Sequence, residues 1–264
     1  MADFDQDGRA DISVFRPTTG TWYTIDSVTD NLRIAQFGFN GDRPLLSDMG
    51  HDGKLDYTVF RPDIGTWYFN DSAAGFKALG WGLSGDIPIT RHSTYGNGIA
   101  IFRPSNGLFC QSSYFSGFCL PWGTSGDIPM YIDIFGNGQE APAVFRPSNG
   151  TWYLYPSGTA IKFGQSGDKP VPADYDGDGI TDVAVFRPAS GTWYILYSAT
   201  GSVAGFQWGN SGDIPQPADY DGDGKSDLAV FRNGVWYIRQ TSNLTLRAVQ
   251  FGQAGDVPVT APIY

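Results

Sequence analysis

Residues 174–187 read Asp-Tyr-Asp-Gly-Asp-Gly-Ile-Thr-Asp-Val-Ala-Val-Phe-Arg, an acidic turn that runs directly into an apolar strand. The same words return at residues 219–232 and 3–16, and eroded versions fill the intervals between them. Anchored on the Phe-Arg pair, the copies fall at Arg16, Arg61, Arg103, Arg146, Arg187 and Arg232. That spacing is roughly 40–45 residues, the repeat length of four-stranded propeller blades. No window places apolar residues at the i, i+3, i+4, i+7 positions a helical solenoid needs. The sequence therefore predicts an all-β fold, a six-bladed β-propeller of four-stranded antiparallel blades spanning residues 1–264 as one domain.

Within the copy that starts at Pro170, four strands are expected: 170–174 innermost, 182–187, 192–197, and a fourth ending at Trp208-Gly209. The first copy begins at its acidic turn and lacks most of an inner strand. Residues 257–261, Val-Pro-Val-Thr-Ala, match the residues that precede the acidic turn elsewhere. The C-terminus is thus expected to pair into the first blade and close the ring, which removes exposed strand edges.

Composition agrees with short strands and turns. The 264 residues include 8 Trp, 14 Tyr, 18 Phe, 35 Gly and 17 Pro. Glu140 is the only glutamate. A formal net charge of −10 argues against nucleic acid and anionic membrane surfaces as partners. The charge is concentrated: the acidic turns and a repeated Gly-Asp step take every acidic residue except Asp26, Asp30, Asp63, Asp71 and Glu140. No apolar run approaches the roughly 20 residues that cross a bilayer. The N-terminus has no signal-peptide character and the chain starts inside a repeat, as expected of a segment excised from a longer protein.

Three turns carry a full set of alternating carboxylates: Asp3, Asp5, Asp7 and Asp11; Asp174, Asp176, Asp178 and Asp182; Asp219, Asp221, Asp223 and Asp227. Four converging carboxylates repel one another unless a cation sits among them. An all-oxygen donor set without His or Cys selects Ca²⁺, which takes about 6–8 oxygens at flexible distances. The main-chain carbonyls of Arg9, Ile180 and Lys225 are expected as further donors. Three structural ions would bring the formal charge from −10 to about −4. The second turn keeps Asp48, Asp52 and Asp56 but has Gly50 in the middle, a weaker site. The third, Ser93-Thr94-Tyr95-Gly96-Asn97-Gly98, and the fourth, with Asp133 and Asn137, are expected to have lost the metal.

Each copy also supplies one arginine of the Phe-Arg pair and one aspartate of the Gly-Asp step: Asp42, Asp86, Asp127, Asp168, Asp213 and Asp256. Equal numbers point to bidentate bridges between neighbouring blades, on the face away from the acidic turns. The alternative is that some arginines stay free to grip an anionic ligand there. The third-strand aromatics Trp22, Trp67, Phe109, Trp152, Trp193 and Trp236 recur too regularly for sugar stacking and are expected to pack between blades. Cys110 and Cys119 would face each other across a hairpin with Tyr114 and Phe115 at its tip, so a disulfide, and with it an oxidising compartment, is expected. His51 and His92 vary between copies and have no triad context.

The acidic turns together with the steps Phe37-Gly38, Trp81-Gly82, Trp122-Gly123, Phe163-Gly164, Trp208-Gly209 and Phe251-Gly252 resemble the FG-GAP or VCBS repeats of bacterial surface proteins. More distantly they resemble the calcium-binding propeller of integrin α chains. The resemblance implies structural calcium, a secreted or cell-surface location, and a non-enzymatic binding or adhesion module that is a monomer or part of a longer chain. The implied ligand is a glycan, as in fungal lectins of similar build, or a protein surface, met by the face of the Arg-Pro turns and Gly-Asp loops. Two other classes stand beside it: a propeller-type polysaccharide lyase or other carbohydrate-active enzyme, and a purely structural repeat spacer.

Overall fold

The computed structural model describes residues 2–91, 98–112 and 117–260. The third acidic turn at 93–97, His92, the hairpin tip at Tyr114 and Phe115, and Ala261 lie outside the described residues. The described secondary structure is entirely strand. The first sheet contains β1 (Ile12–Arg16), β2 (Thr21–Ile25) and β3 (Leu32–Gln36). The second is β4 (Arg43–Ser47), β5 (Asp56–Arg61), β6 (Thr66–Asp71) and β7 (Gly75–Gly80), and the third β8 (Ile87–Arg91), β9 (Gly98–Arg103), β10 (Leu108–Gln111) and β11 (Phe118–Pro121). The fourth is β12 (Ile128–Ile132), β13 (Ala141–Arg146), β14 (Thr151–Leu154) and β15 (Thr159–Lys162). The fifth is β16 (Lys169–Pro170), β17 (Val183–Arg187), β18 (Thr192–Leu196) and β19 (Val203–Gln207). The sixth is β20 (Ile214–Pro215), β21 (Leu228–Arg232), β22 (Val235–Arg239) and β23 (Leu246–Gln250), after which β24 (Val257–Pro258) joins the edge of β1. These six antiparallel four-stranded sheets are the blades of a six-bladed β-propeller.

Two compact units divide the chain. One comprises Met1–Asn40 with Gly167–Tyr264 and holds sheets one, five and six; the other, Gly41–Ser166, holds sheets two, three and four. In the first unit, β24 completes sheet one through Val14 against Pro258 and Phe15 against Val257. The Val259 amide adds a bond to the Ser13 carbonyl, and the Thr260 hydroxyl one to the Asp11 carbonyl. The innermost strands of sheets five and six are shorter than the sequence suggests. Past Pro170 the Val171 amide still donates to the Ala184 carbonyl at 2.9 Å, and the chain then meets the sheet again at the Ala173–Asp182 bridge. Pro172, which has no N–H to give a ladder, interrupts the run.

The repeated words explain the packing. Second strands such as Val183-Ala184-Val185-Phe186 are buried at every position, as expected of a strand covered on both faces. The next strand alternates: Trp193 and Ile195 are buried while Tyr194 is half-buried. Trp22, Trp67, Trp152, Trp193 and Trp236 are fully buried. Their indole N–H groups donate to the carbonyls of Phe37, Trp81, Phe163, Trp208 and Phe251 at 2.7–3.0 Å. The Phe-Gly step is therefore the acceptor for the buried Trp, and sugar stacking on these rings is ruled out by their burial. Sheet three replaces Trp-Tyr by Phe109-Cys110, and Cys110 is bonded to its register partner Cys119.

One glycine per copy is dictated by the same contact. At Gly191 the backbone has φ +63°, and an added Cβ would lie 2.0 Å from the Gly209 carbonyl oxygen. Gly191→Ala is expected to cost at least about 2 kcal/mol, combining a left-handed backbone with a backbone clash. Urea melts of the variant check this; a midpoint equal to wild type would refute the contact.

Candidate functional site

The three complete acidic turns belong to sheets five, six and one, all in one unit. Each is shaped by its own backbone. Asp174 accepts the Gly177 amide at 2.6 Å and the Gly179 amide at 2.9 Å. Asp182, buried at the start of the next strand, accepts the Tyr175 and Ser198 amides at 2.8 and 2.7 Å. Asp227 takes the Tyr220 and Thr241 amides in the same way, and Asp11 those of Phe4 and Ser27. The loops are also laced in series. The Ser226 amide donates to the Asp174 carbonyl at 2.7 Å, and the Ala10 amide to the Asp219 carbonyl at 2.6 Å.

This scaffold brings together Asp3, Asp5 and Asp11; Asp174, Asp176 and Asp182; and Asp219, Asp221 and Asp227, with one carboxylate oxygen from each within 4.8 Å of the others. Ligands on opposite sides of a calcium ion, at about 2.4 Å each, lie no more than about 4.8 Å apart, so the three clusters fit that ion. The remaining carboxylate of each turn stands apart from the cluster. Asp7, Asp178 and Asp223 accept the amide two residues ahead, at Arg9, Ile180 and Lys225, with one oxygen. The other oxygen accepts the hydroxyl of Ser27, Ser198 or Thr241. Regular spacing suggested four equivalent carboxylates. The third is held by a neighbouring hydroxyl, and the N–H groups of Arg9, Ile180 and Lys225 hold its other oxygen.

The strand-start aspartates are raised by burial, with repulsion between neighbouring carboxylates. Burial, with repulsion from Asp5 and Asp26, pushes Asp11 up to about 7 despite its two amide bonds. Burial, with repulsion from Asp221, pushes Asp227 up to about 6. Asp182 moves in the same direction, again through burial first. Because these carboxyls bind protons more tightly folded than unfolded, the metal-free protein gains stability as pH falls through about 7 and 6. In EDTA the unfolding midpoint should therefore rise between about pH 8 and pH 5.5. With calcium present it should fall over that range, because protons compete with the ion. A midpoint that falls in EDTA as well would argue against crowded buried carboxylates.

The eroded turns differ as the sequence implies. In sheet two, Asp48, Asp52 and Asp56 keep the scaffold bonds, with Asp48 accepting the Asp52 and Gly53 amides and Asp56 those of Met49 and Ser72. At Gly50, where a middle carboxylate is absent, the Asp71 carboxylate lies 3.0 Å from the position of a Cβ and is paired with Lys77. An ammonium group thus supplies positive charge beside this turn, and among the described residues no three-carboxylate cluster forms there. In sheet four, Asp133 accepts the amides of Phe135, Gly136, Asn137 and Gly138. That carboxylate is committed to closing its own turn.

At the opposite ends of the second strands all six expected arginine bridges form. Arg16–Asp256, Arg61–Asp42, Arg103–Asp86, Arg146–Asp127, Arg187–Asp168 and Arg232–Asp213 are each bidentate at 2.6–2.9 Å. They close within a blade rather than between blades: the aspartate sits just before the innermost strand and the arginine ends the strand paired with it. The bridge fastens the incoming linker to its own sheet. Five of the guanidinium groups also lie over the tyrosine that follows the buried Trp, 4.3–4.8 Å from the ring centre. In sheet three Cys110 takes the place of that tyrosine. These arginines are committed to structure and are not free cations at a ligand face.

Two features escaped the sequence reading. One is the indole-to-carbonyl bond, visible only once the register is known. The other is a cleft of about 400 Å³, open to solvent, between sheets five and six, lined by Tyr175, Tyr197, Phe206, Arg239, Gln240 and Leu244 among others. His51 is exposed in the second acidic turn.

Comparison with known proteins supports the same architecture. Residues 174–230 match the family model described as FG-GAP-like repeat. The match begins at the first aspartate of one acidic turn and ends just past the last aspartate of the next. A comparison with curated proteins finds no match. Among solved structures, virginiamycin B lyase from Staphylococcus aureus aligns with TM-score 0.58 at 10% identity, over 93% of this chain and 86% of that one. A lectin from Agrocybe aegerita that recognises non-reducing terminal N-acetylglucosamine aligns with TM-score 0.55 at 17% identity, over 91% and 76%. TolB from Acinetobacter baumannii aligns with TM-score 0.63 at 15% identity, over 97% and 67%. At such identities the likeness is one of fold. Residues 174–230 thus match an FG-GAP-like repeat model, within a chain that folds as a six-bladed β-propeller.

Proposed function

We propose that this protein is a calcium-fastened, non-catalytic binding module of a secreted or cell-surface protein, with a glycan as its ligand. The observation that carries the calcium part is the threefold recurrence of a buried strand-start aspartate brought within 4.8 Å of two loop carboxylates. In this reading Asp3, Asp5 and Asp11, Asp174, Asp176 and Asp182, and Asp219, Asp221 and Asp227 hold the ions. Calcium supplies the positive charge these groups lack and locks three adjacent turns, and it takes no part in chemistry. The Cys110–Cys119 bond supports an oxidising compartment.

The non-catalytic reading is supported by how the recurring polar side chains are spent. Six arginines and six aspartates bridge one another, and the turn carboxylates are fixed by backbone amides. The same fold in the Agrocybe lectin serves terminal sugar recognition, which favours a glycan over other ligands. A glycan array probed in calcium and again in EDTA tests the proposal. Retained binding in both assigns calcium a structural role, and binding only with calcium assigns it a role in ordering the ligand site. An array and a pull-down that both return nothing would overturn the reading in favour of a structural spacer.

A further inference from the structure

We infer that the cleft between sheets five and six is a sugar-binding site selective for a carboxylated ring, such as a uronic or sialic acid residue. The inference rests on the glycan reading above and locates it. Six side chains make the argument: Tyr197, Phe206, Ser226, Arg239, Gln240 and Leu244. Arg239 is the first. Most of the buried acidic groups of this protein are already matched to a cation or held by amides, and seven arginines are in ion pairs. Arg239 is in none of those pairs. Among the described residues it has no carboxylate partner, and its guanidinium lies over the Phe206 ring, 5.1 Å from the centre. A half-buried guanidinium stacked on an aromatic face keeps its planar fork available for a carboxylate.

The repeat itself shows that this chemistry is not part of the scaffold. At the position of Arg239, three residues past the buried aromatic, the other blades carry Ile25, Asn70, Ser112, Tyr155 and Leu196, all uncharged. At the position of Phe206, the register partner of the buried aromatic, they carry Ala35, Leu79, Leu120, Ile161 and Val249. Blade packing therefore demands neither a cation at 239 nor an aromatic ring at 206. Both departures from the repeat occur at one cleft, on facing strands β19 and β22, with the Tyr197 ring beside them. Aromatic faces accept the C–H face of a sugar, and the Ser226 hydroxyl and Gln240 amide offer hydrogen bonds to ring hydroxyls.

Leu244 on the rim is 64% exposed and has φ +58°; the matching turn residues Asp30 and Gly201 are left-handed too, so the backbone is the repeat's own and the exposed apolar side chain is the departure. The loop that holds it is anchored from below: the Thr241 amide and hydroxyl both bond Asp227, at 2.7 and 2.9 Å. The cleft is shallow and open to solvent, so a bound sugar unit would rest on its aromatic walls with its neighbours in solvent.

The test is isothermal titration of the whole protein, with calcium present throughout, against a glucuronate-containing oligosaccharide, sialyllactose and lactose. Arg239→Leu and Phe206→Val install residues that the same positions hold in another blade; Arg239→Leu should melt like wild type, and Phe206→Val, which trims a ring packed on the sheet-five core, should lower the midpoint modestly while the protein stays folded. Arg247→Leu removes an equal charge from the adjacent strand outside the cleft and serves as the control. Wild type should prefer one of the carboxylated sugars to lactose by about tenfold or more, and which one it prefers separates the uronic from the sialic source. Arg239→Leu should abolish that preference, Phe206→Val should weaken binding of every sugar severalfold, and Arg247→Leu should change neither. Sugar binding that Arg239→Leu and Phe206→Val leave unchanged would overturn the cleft assignment and leave the glycan reading standing. Preference for lactose would overturn the carboxylate assignment. Absence of binding to all three, together with an empty glycan array, would overturn both readings; absence here with array binding to other glycans would overturn the cleft inference alone.

Discussion

Chelation with EDTA is expected to lower the unfolding midpoint of this protein by on the order of 15–30 °C. An ion held at a hundred times its Kd stabilises the folded state by about 2.7 kcal/mol, and three such loops together by on the order of 8 kcal/mol. A domain of this size moves by roughly 2–4 °C per kcal/mol. The structure adds a spatial expectation. All three clusters lie in the unit made of residues 1–40 and 167–264, so amide exchange in EDTA should accelerate there first. The lacing of turn to turn through the Asp174 and Asp219 carbonyls should spread the loss beyond a single loop. Asp182→Asn should reproduce about a third of the midpoint change in calcium and little of it in EDTA. Differential scanning fluorimetry with and without chelator measures both, and a melt indifferent to chelation would remove calcium from the account.

Arg187→Met is expected to destabilise the protein by about 3–5 kcal/mol, the range for stranding one member of a buried ion pair. The Asp168 side chain is only 1% exposed and receives both guanidinium bonds at 2.9 Å, so its charge would be left without a cation. Arg187→Lys keeps the charge but gives up the parallel pair of hydrogen bonds and the stacking over Tyr194, 4.3 Å away. It should lose a smaller part, about 1–2 kcal/mol. The double variant Arg187→Met with Asp168→Leu should recover much of the loss, since replacing both charges by apolar groups is often close to neutral. Urea denaturation of the three variants decides it. Equal midpoints for wild type and Arg187→Met would mean that the bridge contributes nothing.

The fold was legible because the repeat is written in residues with narrow roles. Phe-Arg, Asp-Gly-Asp-Gly and Phe-Gly recur at one spacing, and each marks a strand end, a turn or a buried acceptor. The pairing of the last strand with the first could be read from a missing inner strand and a surplus one. Cys110 and Cys119 could be paired because a hairpin register needs only their separation. What could not be read depends on where a side chain turns after the backbone is set. Asp178 looks identical to Asp176 in the sequence, yet one joins the cluster and the other is captured by Ser198, a residue from the far end of the next hairpin. Asp42 and its equivalents were expected to pair with the repeated arginines, but across the blade boundary; the bridges close within a blade because a linker residue belongs to the sheet it enters. Arg239 drew no notice, since a lone arginine at a variable strand position has no signature until Phe206 is seen beneath it.

The return of β24 to β1 has a consequence for how the protein is made. Arg16 and Asp256, which join the two ends of sheet one, are 240 residues apart in the chain. At a synthesis rate of about 5–20 residues per second, the first strand waits roughly 10–50 s on the ribosome for its partner. Throughout that interval Val14 and Phe15, both buried at the end, present an open edge to the cell. A chain of this design cannot complete its first blade until its last strand has been made.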